Sequence, residues 1–271
     1  MDNSSVTAPG ADRVFPPVLV GDVCEIINRK PASAGILVCD HASPALPAGY
    51  GSLGAEASNF HRHIAYDPGA ADLTRALSAA LDLPALLCGF SRLLIDPNRR
   101  ADDPTLIVPV SDGVFIPANQ DMAADEIAFR LQTYHTAYHR AVAREFRQAM
   151  DGGTIPCFVG VHSFTPVMHG QERPWEISIL WNRDPRLATR LLAGLRRIDG
   201  LCVGDNEPYS GRVAGYSMDR HGGEGGLPNA VIEVRQDLID THHGVARWAA
   251  LLEKVLRDAL ADDNLRRIEH Y

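Results

Sequence analysis

Short apolar runs of strand length recur along the chain, and segments with helical patterns lie between them. Residues 36–39 and 157–161 carry no polar side chain. A strand without a polar face is buried on both sides, which is typical of the centre of an α/β sheet. Further strands are predicted at 85–89, 93–95, 175–181, 201–203 and 230–234.

Apolar residues at helical spacing predict four helices between these strands. Asp67 and Pro68 mark the start of the first, since Asp is a favoured N-cap and Pro suits the first helical position. The predicted helices are 67–81, 123–150, 184–197 and 241–260.

The alternation of strands and helices continues without a repeat, a linker or a low-complexity segment. It predicts one α/β domain over residues 16–271, after a flexible tail at 1–15. We expect a three-layer sandwich around a mostly parallel or mixed central sheet.

Composition and charge limit the partners and the cellular location that we expect. The formal charge is −8 and no basic run offsets it, which argues against a nucleic-acid partner. No apolar stretch is long enough to span a membrane, and the first residues lack the pattern of a signal peptide. The five cysteines have no CxxC spacing and fit free thiols. We therefore expect a soluble cytoplasmic protein, with its oligomeric state left open.

Polar residues follow several of the predicted strands. His41, the segment 92–99, His162, and Glu233 with Arg235 all stand at strand ends. In open α/β sheets, ligands gather at the carboxyl ends of strands. Two histidines and a carboxylate can hold a hydrolytic zinc ion, and a further carboxylate can serve as general base. A single histidine such as His162 would otherwise be a packing residue.

Four phrases give these residues a family resemblance. They are Asp-His-Ala-Ser-Pro (40–44), Arg-His-Ile-Ala-Tyr-Asp-Pro-Gly-Ala (62–70), Ser-Arg-Leu-Leu-Ile-Asp-Pro-Asn-Arg (91–99) and Val-Gly-Asp-Asn-Glu-Pro-Tyr-Ser-Gly (203–211). In this order they resemble the N-formylglutamate amidohydrolase family over about residues 33–240. The wider pattern resembles the zinc carboxypeptidase and aspartoacylase superfamily.

The resemblance implies a zinc-carboxypeptidase-like (phosphorylase/hydrolase-like) fold and metal-dependent amide hydrolysis. The metal would be Zn²⁺, with another divalent ion as the alternative. The substrate would be an acidic N-acyl amino acid, most specifically N-formyl-L-glutamate, which is cleaved to formate and glutamate in histidine degradation. A related zinc peptidase or deacylase, or a non-catalytic carboxylate-binding protein, are the alternatives.

Matched positions carry the family roles onto this chain. His41 and His162 match the metal histidines, and Glu233 matches the general base. Arg92 stands where related enzymes place an oxyanion-stabilising arginine. The resemblance also implies substrate contacts: Asn98 and Arg99 match the carboxylate-binding pair, and Arg235 would be a second substrate-binding or a structural cation.

One position departs from the superfamily pattern. The metal carboxylate commonly stands three residues after the first histidine, and here that position is Pro44. We predict that Asp67 replaces it, with Glu56 and Asp40 as alternatives. The competing interpretation of Asp67 is the helix N-cap described above.

Other polar residues receive lesser roles. His135 and His139 stand four residues apart on one helix, and we interpret them as packing or supporting histidines rather than metal ligands. His221 is assigned to a solvated loop, with a lid over the substrate as the alternative. Ser163 lacks the motif of a nucleophile elbow, which disfavours a serine hydrolase.

Overall fold

A seven-stranded sheet forms the centre of the molecule. The structure, a computed structural model, describes residues 23–30 and 33–271, so the predicted tail at 1–15 lies outside the described residues. The strands are β1 (Cys24–Ile27), β2 (Gly35–Cys39), β3 (Ala85–Cys88), β4 (Cys157–Phe164), β5 (Ile177–Leu180), β6 (Val203–Asp205) and β7 (Asn229–Arg235).

The sheet is mixed, in the order β1-β3-β2-β4-β7-β5-β6. Strands β3, β2, β4 and β7 run parallel to one another, and β1, β5 and β6 run in the opposite direction. The carboxyl ends of the adjacent strands β2, β4 and β7 therefore open on the same edge. The prediction of an α/β fold with a mixed sheet is confirmed.

Helices connect and cover the strands. The main ones are α1 (Ala70–Leu81), α2 (Ala124–Arg130), α3 (Ala137–Asp151), α4 (Arg186–Leu195) and α5 (His242–Leu260). Helix α2 passes into α3 through a π-helical turn, Leu131–Thr136, so that the three segments form the long predicted helix. Among the described helices, none has the length and apolar composition needed to cross a bilayer.

Shorter elements fill the connections. The two hairpins pair Val110–Ser111 with Val114–Phe115 and Val167–Met168 with Gln171–Glu172. The short helical turns are Ala57–His61, Pro117–Asn119, Gly211–Ala214, Tyr216–Met218, Asp219–Gly223, Gln236–Leu238 and Asp263–Leu265.

Each face of the sheet packs against its own hydrophobic layer. On one face, Leu77 of α1, Leu191 of α4 and Trp248 of α5 are buried against the sheet. On the other, Tyr138 and Phe146 of α3 pack with residues of the long connections. Side chains of a strand alternate between faces, so each central strand contributes to both layers.

The predicted strand at 93–95 is wrong. Leu93 and Leu94 are buried, but the chain turns there, and the backbone N–H of Leu94 donates to the Ser91 carbonyl at 3.0 Å. Their carbonyls accept from the side chains of Asn119 and Arg130 instead of from a neighbouring strand. An apolar run signals burial, and here the burial is in a side-chain-supported turn.

The first helix begins later than predicted. Gly69 precedes Ala70 at φ +77°, and Asp67 makes no N-cap bond because its carboxylate points to other partners. A Cβ on Gly69 would lie 2.2 Å from the Ile239 carbonyl oxygen. The position therefore requires glycine both for its φ and for its closeness to Ile239.

Gly69→Ala should destabilise the fold more than an equivalent change without a clash. Gly153 provides the matched control, since its φ is +84° and a Cβ there would meet nothing within 4 Å. Gly153→Ala should lower the free energy of unfolding by about 1 kcal/mol. Gly69→Ala should lower it by about 1–3 kcal/mol more, because of the overlap. Urea unfolding measures both, and equal losses would contradict the account.

Candidate metal centre

Sheet register brings His162 and Glu233 side by side. His162 on β4 is the direct neighbour of Glu233 on β7 across the parallel pair, so both side chains point to the same face. Strand β4 extends past the predicted end to Phe164, which places His162 inside the strand. Both side chains are buried.

The connections that carry His41 and Asp67 bring these two residues close to His162. His41 lies in the turn that follows β2, and the backbone N–H of Asp67 donates to the His41 carbonyl at 2.9 Å. This bond fixes the Asp67 segment beside the end of β2. His41, Asp67 and His162 thus reach one point from positions that are far apart in the sequence.

The three side chains have the geometry of a metal-binding set. The Asp67 Oδ2 atom lies 2.8 Å from His162 Nδ1 and 3.4 Å from His41 Nδ1. One ligand atom from each residue lies within 4.8 Å of the others, and all three residues are buried. The imidazole rings are nearly perpendicular, with centroids 5.0 Å apart.

A carboxylate stands behind each histidine. His41 Nε2 lies 2.8 Å from Asp96 Oδ1, and His162 Nε2 lies 3.2 Å from Asp40 Oδ2. Because an ionised carboxylate only accepts, each Nε2 carries a hydrogen, and each Nδ1 faces Asp67. Burial opposes protonation of His162, but its hydrogen bonds to Asp40 and Asp67 raise its pKa well above the usual value, so a metal at this point would replace the proton on His162 Nδ1. Carboxylates behind metal histidines orient the ring in this way and raise its basicity.

Asp40 is itself held in place. The hydroxyls of Tyr138 and Ser217 both donate to its Oδ1 atom at 2.8 Å. Burial opposes its ionisation, but the hydrogen bond and charge of His162 outweigh burial and lower its pKa to about 2. Asp40 is therefore anionic at neutral pH.

The site buries three carboxylates, those of Asp40, Asp67 and Asp96, around the two histidines. Burial opposes ionisation of Asp67, but the Arg92 guanidinium and the two histidines hold its pKa well below the usual value. Burial likewise opposes ionisation of Asp96, yet the charge of His41 lowers its pKa. Arg92 and the charge of the histidines compensate these anions, and a divalent cation would supply that compensation if the histidine nitrogens bound it in place of their protons.

An orphaned atom tests whether a metal fits. Among the described residues, His41 Nδ1 has no hydrogen-bond partner although it is buried and faces Asp67. A buried lone pair without a donor is costly. Two imidazole nitrogens and a carboxylate are a donor set that Zn²⁺ prefers, so the residues present fit the ion.

Glu233 has the properties of a general base. Its Oε2 atom is buried and lacks a hydrogen-bond partner among the described residues. Burial, with the nearby Asp67 charge and against the attraction of His162, raises the Glu233 pKa to about 7. A carboxyl group with a pKa near the working pH exchanges protons efficiently.

The residues that line a cavity of about 660 Å³ include His41, Asp67, His162 and Glu233. Asn98 and Arg99, the predicted substrate-binding residues, and Arg92, the predicted oxyanion-stabilising residue, line the same cavity. Arg92 pairs with Asp67. The Asn98 side chain accepts from the Ser217 N–H at 3.0 Å and donates to the Ala214 carbonyl at 3.3 Å. The position of Asn98 at the cavity wall is thus fixed by the segment 214–217.

Two predicted candidates lie away from this centre. Arg235 forms a two-pronged pair with Asp237, at 2.8 and 3.2 Å, and donates to the Arg173 carbonyl. It is outside the described cavity wall, and these contacts fit the structural alternative, while its substrate-binding role stays a prediction. Glu56, an alternative carboxylate ligand, is exposed at the start of a helical turn.

The structure corrects the assignment of His221. His221 is buried in the π-helical turn Asp219–Gly223, and its Nε2 lies 2.8 Å from His139 Nδ1, so it belongs neither to a solvated loop nor to a lid. Ser163 donates from its hydroxyl to the Pro68 carbonyl at 2.8 Å, which leaves it in a supporting position.

His63 is a cavity residue that sequence reasoning missed. Its Nδ1 lies 3.3 Å from Asp67 Oδ1, and burial lowers its pKa to about 4, so the ring is neutral. The signal was its position four residues before Asp67 in the phrase 62–70. Ser217 was also missed, because its contact with Asp40 spans 177 residues and leaves no local pattern.

Comparison with known proteins gives one family match. The model of the family described as N-formylglutamate amidohydrolase matches residues 33–240. A comparison with curated proteins finds no match.

Solved structures that are similar to the chain include the following two. The gene product Atu2144 from Agrobacterium tumefaciens is 34% identical with a TM-score of 0.84, and the match covers 89% of this chain and 96% of that one. N-formylglutamate amidohydrolase from Ralstonia eutropha JMP134 is 19% identical with a TM-score of 0.66, covering 91% of this chain and 99% of that one. The second likeness shows a shared fold.

Removing the charge behind His41 should weaken metal binding. Asp96→Asn replaces a carboxylate by a neutral amide, which is a weaker acceptor for the Nε2–H of His41, and should reduce zinc affinity about 10- to 100-fold. Asp102→Asn is the control, because the Asp102 side chain is 76% exposed and pairs with Arg100 on the same loop. Competition with a chromophoric chelator measures the affinities. Equal affinity in all three proteins would contradict the assignment.

Proposed function

This chain belongs to the N-formylglutamate amidohydrolase family and is a hydrolase, and we propose that it hydrolyses the amide bond of an acidic N-acyl amino acid with a bound metal ion. The most specific form of the proposal is the cleavage of N-formyl-L-glutamate to formate and glutamate. The family assignment supports amidohydrolase activity; the metal and the substrate are the proposed part.

One observation carries the proposal. Glu233, with its raised pKa and unpartnered Oε2, stands beside the group formed by His41, Asp67 and His162 in one buried pocket. A carboxylate that serves only the fold would be paired or exposed. A poised carboxyl group next to a metal-type donor set is the arrangement that hydrolysis of an amide requires.

One wall of the cavity would bind the metal, and another would bind the substrate carboxylate. His41, Asp67 and His162 would hold the metal, and a zinc ion there would polarise the amide carbonyl and lower the pKa of water. Asn98 and Arg99 line the same cavity, and the forked guanidinium of Arg99 matches a substrate carboxylate. The scissile amide would then lie between Glu233 and the wall formed by Asn98 and Arg99.

Glu233 and Arg92 would move and stabilise charge during the reaction. Glu233 takes a proton from the attacking water as the water oxygen bonds to the amide carbon. Arg92, which already lies beside Asp67, donates to the carbonyl oxygen as negative charge develops there. Glu233 then gives its proton to the amine nitrogen as the carbon–nitrogen bond breaks.

We also propose that the chain is related in structure to the zinc-carboxypeptidase-like class, and its architecture supports this relationship. A mixed sheet with helices on both faces, and a metal-type site at the ends of adjacent parallel strands, fits the zinc-carboxypeptidase-like class.

A substrate screen tests the proposed function. N-formyl-L-glutamate, other N-acyl derivatives of glutamate and aspartate, and a neutral N-formyl amino acid should be offered with and without chelator. We expect hydrolysis of the acidic formyl compound, its loss with chelator and its return with zinc. Activity only on other acyl groups would indicate a related deacylase. Binding without turnover would indicate a carboxylate-binding protein and contradict the proposal.

Glu233→Gln should abolish most turnover while leaving the metal in place. The amide keeps the shape of the side chain but accepts no proton, so kcat should fall about 10²–10⁴-fold. Zinc content by mass spectrometry of the native protein should stay equal to that of the wild type. Activity near the wild-type level would refute the assigned role of Glu233.

A further inference from the structure

The turn formed by residues 96–99 contributes both to the support of His41 and to the cavity wall of the proposed site. Its first residue, Asp96, stands behind His41, and its last two, Asn98 and Arg99, line the cavity. A second cavity of about 550 Å³ shares Asn98 and Arg99, so the turn is a wall between two open spaces. Buried backbone carbonyls of such a turn need hydrogen-bond partners, and these partners fix its position.

Two buried histidines supply those hydrogen bonds. His139 Nε2 lies 2.9 Å from the Pro97 carbonyl, and His135 Nε2 lies 2.8 Å from the Arg99 carbonyl. Because a carbonyl only accepts, both Nε2 atoms carry the hydrogen. His139 Nδ1 then accepts from His221 Nε2 at 2.8 Å. Burial lowers the pKa of His139 to about 2 and also lowers that of His135, so both rings are neutral.

One helix face serves both halves of the site. His135 belongs to the π-helical turn Leu131–Thr136, and Tyr138 and His139 follow in α3. Residues three and four apart share a face. Tyr138 from this face reaches Asp40 behind His162, while the two histidines reach the turn 96–99. Widened π turns occur frequently at functional sites.

The Nε2 donors of His135 and His139 are placed more specifically than the packing of the two rings requires. The His135 and His139 rings contact each other, with centroids 4.5 Å apart, and Tyr216 stacks on His135. Apolar or aromatic side chains would satisfy that stacking. Only side chains with a donor at this distance also satisfy the carbonyls on both sides of Asn98.

We propose that His135 and His139 are positioning residues, which clamp the Pro97 and Arg99 carbonyls so that Asn98 and Arg99 present a preformed site for the substrate carboxylate. The role rests on the proposed function, since the carboxylate is that of the proposed substrate. A loosened clamp weakens ground-state and transition-state binding alike, so it raises KM and spares kcat.

Three variants of the zinc-loaded protein test the clamp kinetically. His135→Leu removes the donor and should raise KM for N-formyl-L-glutamate about tenfold, with kcat within about threefold of the wild type and unchanged zinc content. His135→Gln keeps an amide donor and should restore most of the lost affinity. His243→Gln, at an exposed position in the first turn of α5, should leave both constants unchanged.

An unchanged KM in His135→Leu would overturn the proposal, as would a glutamine variant that loses as much affinity as the leucine variant. A fall in kcat with loss of zinc would also overturn it, since that result indicates a general structural role.

A second measurement does not depend on the substrate. Long-range ¹⁵N–¹H NMR of the wild-type protein near neutral pH should show His135 and His139 as neutral Nε2–H tautomers. An Nδ1–H tautomer or a protonated ring would overturn the clamp. A wild-type protein that fails to hydrolyse N-formyl-L-glutamate would refute the proposed substrate instead, and the tautomers would still decide the clamp.

Discussion

The cost of burying carboxylates governs the arrangement of this molecule. Asp40, Asp67 and Asp96 are all buried around two imidazoles, and each buried ion costs several kcal/mol unless it is paired and hydrogen-bonded. Neighbouring groups offset that cost. Arg92 pairs with Asp67, and hydroxyls from separate segments donate to Asp40. The histidine nitrogens that face Asp67 add to this compensation, and a bound cation would take it over when it replaces their protons.

Sheet topology explains why these groups meet. Because β2, β4 and β7 are adjacent and parallel, their carboxyl ends deliver His41, His162 and Glu233 to one edge. The remaining parts come from connections that are tied to this edge by backbone bonds, as Asp67 is to His41. The long helix on the same face then supports the pocket from behind. Fold and site are consequences of the same strand order.

The sequence alone predicted much of the fold and many of the residues that the structure brings together. Continuous apolar runs identified the central strands, and polar residues at their ends identified His41, His162 and Glu233. Local pattern failed where long-range contacts decide the outcome. Leu93 and Leu94 have the composition of a strand, but distant side chains support them in a turn. His221 has the composition of a loop around it, yet it packs on a helix 82 residues away.

The central claim is that His41, Asp67 and His162 converge on one metal ion through the Nδ1 atoms of the histidines. Crystals of the zinc-loaded protein, with anomalous diffraction recorded on both sides of the zinc absorption edge, test it most directly. The account predicts one strong anomalous peak per chain, within bonding distance of His41 Nδ1, an Asp67 carboxylate oxygen and His162 Nδ1. A peak at other residues, bonding through Nε2, or no peak in zinc-saturated crystals would contradict it.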